Sequence, residues 1–189
     1  MTSLREADVL DCLRSLMPHR AISWLEARSI AERQATKLLQ LSGITEPYVP
    51  LFVITSLPGV VVEFLPNWPT SGMATPSSHG FRIVINADEP LVRRRFSAAH
   101  ELKHCLDDVV VDCTSRHLSK ADAHRRAEAI CNYFAACLLM PRRWIVRDWA
   151  AGIQSLELLR QRYAVSSDAM AIRLTTLRLF EPIPRKVPR

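Results

Sequence analysis

The sequence predicts an α+β fold that is mainly helical and contains one small β-sheet. Apolar residues recur at helical spacing over most of the chain before residue 43, and again after Pro90. Between these parts, β-branched residues are concentrated in two short runs, which is typical of strands. The predicted sheet therefore lies between two helical parts of the sequence.

The N-terminal segment, residues 1–43, is predicted to be helical over residues 4–41. Leu10, Leu13 and Leu16 recur at helical spacing before Pro18 interrupts the pattern. A second helix is predicted over residues 22–41. It ends before Gly43, because a glycine just after the last periodic residue stops a helix.

The predicted strands lie in the middle of the chain, at residues 60–64 and 81–86. The segment between them, 66–80, holds three prolines and two glycines, so we expect a loop or an irregular hairpin there. The apolar run at 51–56 is too short for its periodicity to distinguish a helix from a strand.

The chain after Pro90 is predicted to consist of helices, two of them long. A final pair of short helices forms the segment 153–180, and we expect the proline-rich basic tail, residues 181–189, to be disordered. The predicted helices are Leu91–Asp107, 120–140, 141–150, Leu156–Tyr163 and 167–180.

The composition is that of a globular protein, with 48% hydrophobic and 23% charged residues. The net charge of +6 could favour an acidic or nucleic-acid partner. Much of it is local, in the arginines at 93–95 and 142–143 and in the tail, so we attribute it to solvated faces. We expect no signal peptide, because the first ten residues lack an apolar run, and no membrane span, because no apolar run is long enough to cross a bilayer. With an odd number of cysteines and no C-x-x-C pair, it is predicted to be cytoplasmic, without a membrane partner.

One short motif carries chemistry: His100-Glu101-Leu102-Lys103-His104 on the predicted helix Leu91–Asp107. Positions i and i+4 face the same side of a helix, so both imidazoles can bind a single zinc ion. Glu101 flanks that ion and can accept a proton from a water molecule that the ion holds. The motif predicts a hydrolytic zinc site that still needs one more protein ligand.

Several downstream residues could supply the third ligand. Asp107 follows His104 on the same helix and would have to bend back onto its own site. Glu128 lies on the next long helix, whose alanines allow close packing against the motif helix. His124, one turn earlier, is a rival that spacing alone does not exclude. The other candidates are Asp108, Asp112, Cys113, His117 and Asp122.

A longer pattern resembles the ImmA/IrrE family of metallopeptidases. The residues F-S-A-A-H-E-L-K-H are followed by E-A-I-C-N-Y-F-A-A from Glu128 and by L-L-M-P up to Pro141. The likeness extends over roughly residues 30 to 180, including the strand that ends at Asn86 and the turn around Val165. It is therefore much more specific than the histidine motif alone.

The resemblance implies a zincin-like metallopeptidase core over residues 44–152. His100 and His104 would be zinc ligands, Glu128 the third ligand and Glu101 the catalytic base. It also implies a zinc-dependent endopeptidase that cleaves a helix-turn-helix (Xre-type) repressor and so derepresses mobile-element or stress genes. The protein substrate would thus be a transcriptional repressor.

Two residues depart from the family pattern. Lys103 stands where a small residue is usual and Cys131 where alanine is usual. We expect Lys103 to point away from the metal, because of its angular offset from the histidines. The donor for the developing oxyanion is left open among His79, His117, His124 and Tyr133.

The C-terminal pair resembles a helix-turn-helix. Ser166, Ser167, Arg173 and Arg178 could face bases, but Asp168 and many apolar residues are unsuited to DNA. We favour packing or partner docking for this pair. The alternatives to a peptidase are a non-proteolytic DNA-binding regulator and a toxin–antitoxin interaction partner.

Overall fold

The computed structural model describes residues 8–107 and 119–180. These ranges form an α+β structure, mainly helical with one three-stranded sheet, as the sequence predicts. The elements are α1 (Asp8–Arg14), α2 (Trp24–Leu41), α3 (Phe52–Thr55), β1 (Val60–Leu65), β2 (Gly72–Ser77), β3 (Gly80–Asn86), α4 (Leu91–Asp107), α5 (Lys120–Leu139), α6 (Arg142–Ala150), α7 (Leu156–Tyr163) and α8 (Ser167–Thr176).

The two long helices α2 and α5 begin at serine caps. The Ser23 hydroxyl accepts a hydrogen bond from the Glu26 amide, and Ser119 does the same for Asp122. Each cap satisfies an amide that has no partner within its helix. Helix α2 ends at Leu41, before Gly43, whose φ is 66°, so the helix ends where the sequence predicts.

The sheet has the order β1-β3-β2, with β1 parallel and β2 antiparallel to β3. Strand β2 lies within the segment predicted as a loop or an irregular hairpin. Its residues, G-M-A-T-P-S, lack the β-branched apolar alternation of its neighbours. Pro76 is tolerated because β2 lies at the edge of the sheet.

The other predictions are refined by the structure or fall outside the described residues. The undecided run at 51–56 contains the helical turn α3. Helix α8 ends at Thr176 rather than at residue 180, and Arg178 takes the left-handed conformation with φ of 59°. The predicted disordered tail and the first residues of the predicted N-terminal helix lie outside the described residues.

One hydrophobic core extends from α1 to α8. Helix α5 packs against both α2 and α4, and α4 also contacts β2 and β3. Ala98, Ala99 and Ala135 are fully buried, and their small side chains permit close approach of α4 and α5. This packing places the motif helix between the edge strand β2 and the helix that bears Glu128.

The C-terminal pair, α7 and α8, is tied into the core by a buried cation. The side chain of Arg173 is 1% exposed, and its Nε donates to the carbonyl oxygen of Met140 at 3.0 Å. Its Nη2 lies 3.7 Å from the Glu32 carboxylate. The expectation that Arg173 is available to face bases was therefore wrong, because this guanidinium is used in packing.

Within 8–107 and 119–180, no helix combines the length and apolar character needed to cross a bilayer.

Candidate metal centre

The motif residues lie on consecutive turns of α4. The Nε2 atoms of His100 and His104 are 3.1 Å apart, and their ring centroids are 5.0 Å apart. Two imidazole nitrogens so close to each other can direct their lone pairs at a single point between them. Helical spacing alone produces this pairing.

Glu128 reaches the same point from α5. Its Oε2 lies 3.3 Å from His100 Nε2, and its Oε1 lies 3.1 Å from His104 Nε2. His124, the rival candidate one turn earlier, is exposed and has no such contact with the two rings among the interactions of the described residues. Spacing did not choose between these two side chains; the packing of α5 on α4 brings Glu128 to the imidazoles.

The three side chains fit a zinc ion. Zinc bound tetrahedrally, with bonds of about 2.0–2.1 Å to nitrogen and oxygen, separates neighbouring ligand atoms by about 3.3 Å. The two Nε2 atoms lie 3.1 Å apart, and the two Glu128 oxygens lie 3.3 Å from His100 Nε2 and 3.1 Å from His104 Nε2, one oxygen facing each ring. Two neutral imidazoles and a carboxylate are also a ligand set found in hydrolytic zinc sites.

Asn132, one turn after Glu128 on α5, fixes the orientation of His100. The Nδ1 atom of His100 lies 3.0 Å from Asn132 Oδ1. Since an amide oxygen can only accept, Nδ1 carries the proton and Nε2 keeps its lone pair directed at His104 and Glu128. This contact orients a ligand without touching an ion itself.

Glu101 lies between α4 and the edge strand. A β-carbon built on Gly72 would meet Glu101 Cγ at 3.0 Å and Oε1 at 3.1 Å, so the strand approaches this closely because position 72 has no side chain. Burial raises the pKa of the Glu101 carboxyl and the Glu128 charge adds to the rise, while His100 and a hydrogen bond from the Ala74 amide oppose it. A raised pKa suits a carboxylate that must accept a proton near neutral pH.

The centre opens into a cleft of about 780 Å³. Gly72, Met73 and Ala74 of β2 line one side, and residues of α5, including Ala127, line the other. The edge strand and two helices thus enclose a groove in which both the imidazoles and Glu101 are accessible.

The proposed oxyanion donors are dispersed. His124 lines the cleft. Tyr133 donates its hydroxyl hydrogen to Glu32 at 3.2 Å and packs against Arg28, while His79 is exposed near the turn between β2 and β3. His117 lies outside the described residues.

Lys103 is fully buried. Its Nζ donates to Gln34 Oε1 at 2.9 Å and to the Asp107 carboxylate, so the side chain is held against α2 and within its own helix. Asp107, one turn later on α4, forms an ion pair with Lys103. The unusual lysine of the motif is accommodated by burial beside these two groups.

Cys131 is the residue of this site whose proximity the sequence did not reveal. Its Sγ and a ring nitrogen from each of His100 and His104 all lie within 4.8 Å of one another. The side chain is 1% exposed, and burial raises the pKa of its thiol well above the usual range. The Glu128 oxygens lie only 3.3 and 3.1 Å from the ring nitrogens. We therefore take this carboxylate as the third candidate metal ligand and Cys131 as an additional neighbour.

Comparison with known proteins agrees with these observations. Residues 57–175 match the family model described as Peptidase_M78, IrrE N-terminal-like domain. The radiation response metalloprotease IrrE of Deinococcus deserti is 34% identical over 94 residues, covering 47% of this chain and 32% of that protein. The chain thus spans about a third of the length of this relative.

A solved structure shares the fold. The Mycobacterium tuberculosis transcriptional regulator aligns with a TM-score of 0.63 at 20% identity, over 94% of this chain and 53% of that one. The family match covers more than half of the 189 residues and contains the histidine motif and Glu128. The chain therefore belongs to the IrrE N-terminal-like (ImmA/IrrE) family, a family of metallopeptidases.

Proposed function

We propose that the protein is a zinc-dependent endopeptidase in which His100, His104 and Glu128 hold the ion and Glu101 is the general base. The observation that carries this proposal is the convergence of the two imidazole nitrogens and the Glu128 carboxylate, at 3.1–3.3 Å, beside the half-buried carboxylate of Glu101. The ion, when bound, would activate water and polarise the scissile carbonyl.

The side chains around the ion have separate tasks. Glu101 accepts the proton of the attacking water and passes it to the leaving amine. Asn132 keeps His100 in the tautomer that leaves Nε2 free. The cleft beside β2 receives the peptide.

We further propose that the substrate is a helix-turn-helix (Xre-type) repressor, whose cleavage derepresses mobile-element or stress genes. This part depends on the resemblance to the ImmA/IrrE family rather than on a contact in the site. Zinc is favoured over harder ions because two of the three ligands are imidazoles.

The test is co-expression with the repressor encoded nearest to the gene, followed by cleavage of the purified pair. Wild type with one equivalent of zinc should cut the repressor, and Glu101→Gln should bind zinc equally but cleave about 100- to 10,000-fold more slowly. Glu46→Gln, an exposed change far from the motif in sequence, is the matched control.

Two results would contradict the proposal at different levels. If the purified protein binds no zinc, or if His104→Ala and Glu128→Gln bind it as tightly as wild type, the ligand assignment is wrong. A different result would be that zinc binds but neither wild type nor Glu101→Gln cleaves the repressor, which stays bound to its DNA. A regulatory role would then replace the peptidase.

A further inference from the structure

Cys131 occupies a position from which it can reach the same ion as the two imidazoles. It follows Glu128 by three residues on α5, so both side chains face α4. Its Sγ lies within 4.8 Å of a ring nitrogen of each histidine. In tetrahedral zinc, a thiolate at about 2.3 Å and a nitrogen at about 2.1 Å are about 3.6 Å apart. An approach of roughly 1 Å, within the reach of a side-chain adjustment, would therefore bring the sulfur into the coordination sphere.

The other buried cysteine of the same helix shows that this position is specific. Cys137 is 3% exposed, and its thiol interacts with Tyr133 and Arg173 rather than with a histidine. A cysteine that serves only as a small apolar side chain could stand at either position. Only Cys131 has ligand atoms from two other residues around its sulfur within the described part of the chain.

We propose that Cys131 is a fourth protein ligand of the metal in the resting protein. This inference rests on the proposed zinc centre and goes beyond it. Coordination forms one metal–sulfur bond and breaks the S–H bond, with the proton released to solvent. The resulting set of two histidines, one glutamate and one cysteine fills all four positions of a tetrahedral ion, as structural zinc sites do.

The consequence is a centre that is closed at rest. A water molecule or a substrate carbonyl gains a position on the ion only when the thiolate leaves it. Since the thiol is buried, its release depends on the reverse adjustment of its side chain rather than on access from solvent. Cys131 lines the cleft between β2 and α5, so a peptide that enters the cleft is placed to produce that adjustment.

The test uses the full chain, stripped of metal and reloaded with one equivalent of Co²⁺. Wild type and the control Cys137→Ala should show the near-ultraviolet charge-transfer absorption of a cobalt–thiolate bond. Cys131→Ala and Cys131→Ser should bind one equivalent of cobalt without that band. Chelator competition should show roughly 10-fold or greater loss of zinc affinity in both Cys131 variants, as expected when a partner of the metal site is removed.

A measurement on unaltered protein removes any dependence on how the variants fold. X-ray absorption of the zinc-loaded wild type should contain one sulfur neighbour at about 2.3 Å. One bound zinc with only nitrogen and oxygen neighbours, or a charge-transfer band that persists in Cys131→Ala, would overturn the cysteine ligand and leave the zinc centre standing. Failure of wild type to bind either metal would overturn both.

Discussion

Gly72 on the edge strand lies so close to Glu101 on the motif helix that a β-carbon at position 72 would crowd the Glu101 side chain. A β-carbon at position 72 would lie 3.0 Å from Glu101 Cγ and 3.1 Å from Ile85 Cδ1. The strand therefore forms one wall against the proposed base and limits where its carboxylate can lie.

Replacing Gly72 by alanine should displace that carboxylate by a few tenths of an ångström. Because catalysis depends steeply on the position of a proton acceptor, we expect kcat/KM for repressor cleavage to fall about 10- to 100-fold with zinc content unchanged. Ser77→Ala, on the exposed end of the same strand, is the control. Wild-type kinetics in Gly72→Ala would mean that Glu101 is not confined by this contact.

Asn132→Ala should weaken zinc binding about 10- to 100-fold, because His100 loses the acceptor that fixes its tautomer and orientation. Asn132→Asp keeps an acceptor oxygen and should retain most of the affinity. Chelator competition at neutral pH compares the three proteins. Equal affinities in Asn132→Ala and wild type would show that the 3.0 Å contact does not influence the ligand.

Asp148 should make the protein more stable at neutral pH than in acid. The carboxylate is 3% exposed and accepts hydrogen bonds from Tyr163 at 2.9 Å and Arg162 at 2.8 Å. Burial alone would raise its pKa, but these bonds and Arg147 outweigh it and hold the pKa below the ordinary value. The stabilisation is therefore complete above about pH 4 and is lost as the pH falls through the lowered folded-state pKa.

We expect Asp148→Asn to reduce the free energy of unfolding by about 1–3 kcal/mol at pH 7, and the difference from wild type to shrink below about pH 4. Urea unfolding at several pH values measures this, with exposed Glu46→Gln as the control for the loss of one carboxylate. A difference that stays constant down to the acid limit would contradict the role of ionised Asp148.

Lys103→Met should destabilise the fold by roughly 3–5 kcal/mol, because it leaves Asp107 without its cation and Gln34 without its donor. Adding Asp107→Leu should restore much of the loss, since it removes the partly buried carboxylate that Lys103→Met leaves unpaired. Thermal unfolding of the two variants tests this. Full stability of Lys103→Met alone would show that the lysine contributes nothing to folding.

The elements predicted best are those with a strong pattern of their own. Helix α4 matches its predicted bounds because an apolar stripe runs along its length, and β3 agrees to within one residue because its branched residues are contiguous. For the segment 66–80, which contains β2, the sequence predicted only a loop or an irregular hairpin. Glycine and proline are unfavourable in strands, so Gly72 and Pro76 hide β2 from sequence analysis. The strand is stabilised by its antiparallel pairing with β3.

The residues of the candidate site also differ in how far the sequence alone predicts their positions. The spacing of His100 and His104 fixes their shared face, whatever the rest of the chain does. The approach of Glu128 rather than His124 depends on how α5 rotates against α4, which spacing does not contain; the family resemblance supplied that choice. The proximity of Cys131 depends on the same rotation, and its unusual identity was the only sequence signal at that position.

The bond from Arg173 to Met140 has an implication for evolution and engineering. This guanidinium satisfies the carbonyl that follows the last turn of the helix bearing Glu128. A chimaera in which another protein's segment replaces α7 and α8 must contain an arginine at the position equivalent to Arg173. Without it, the C-terminal end of the helix that bears Glu128 would lose a hydrogen-bond donor, although no residue of the metal centre had been altered.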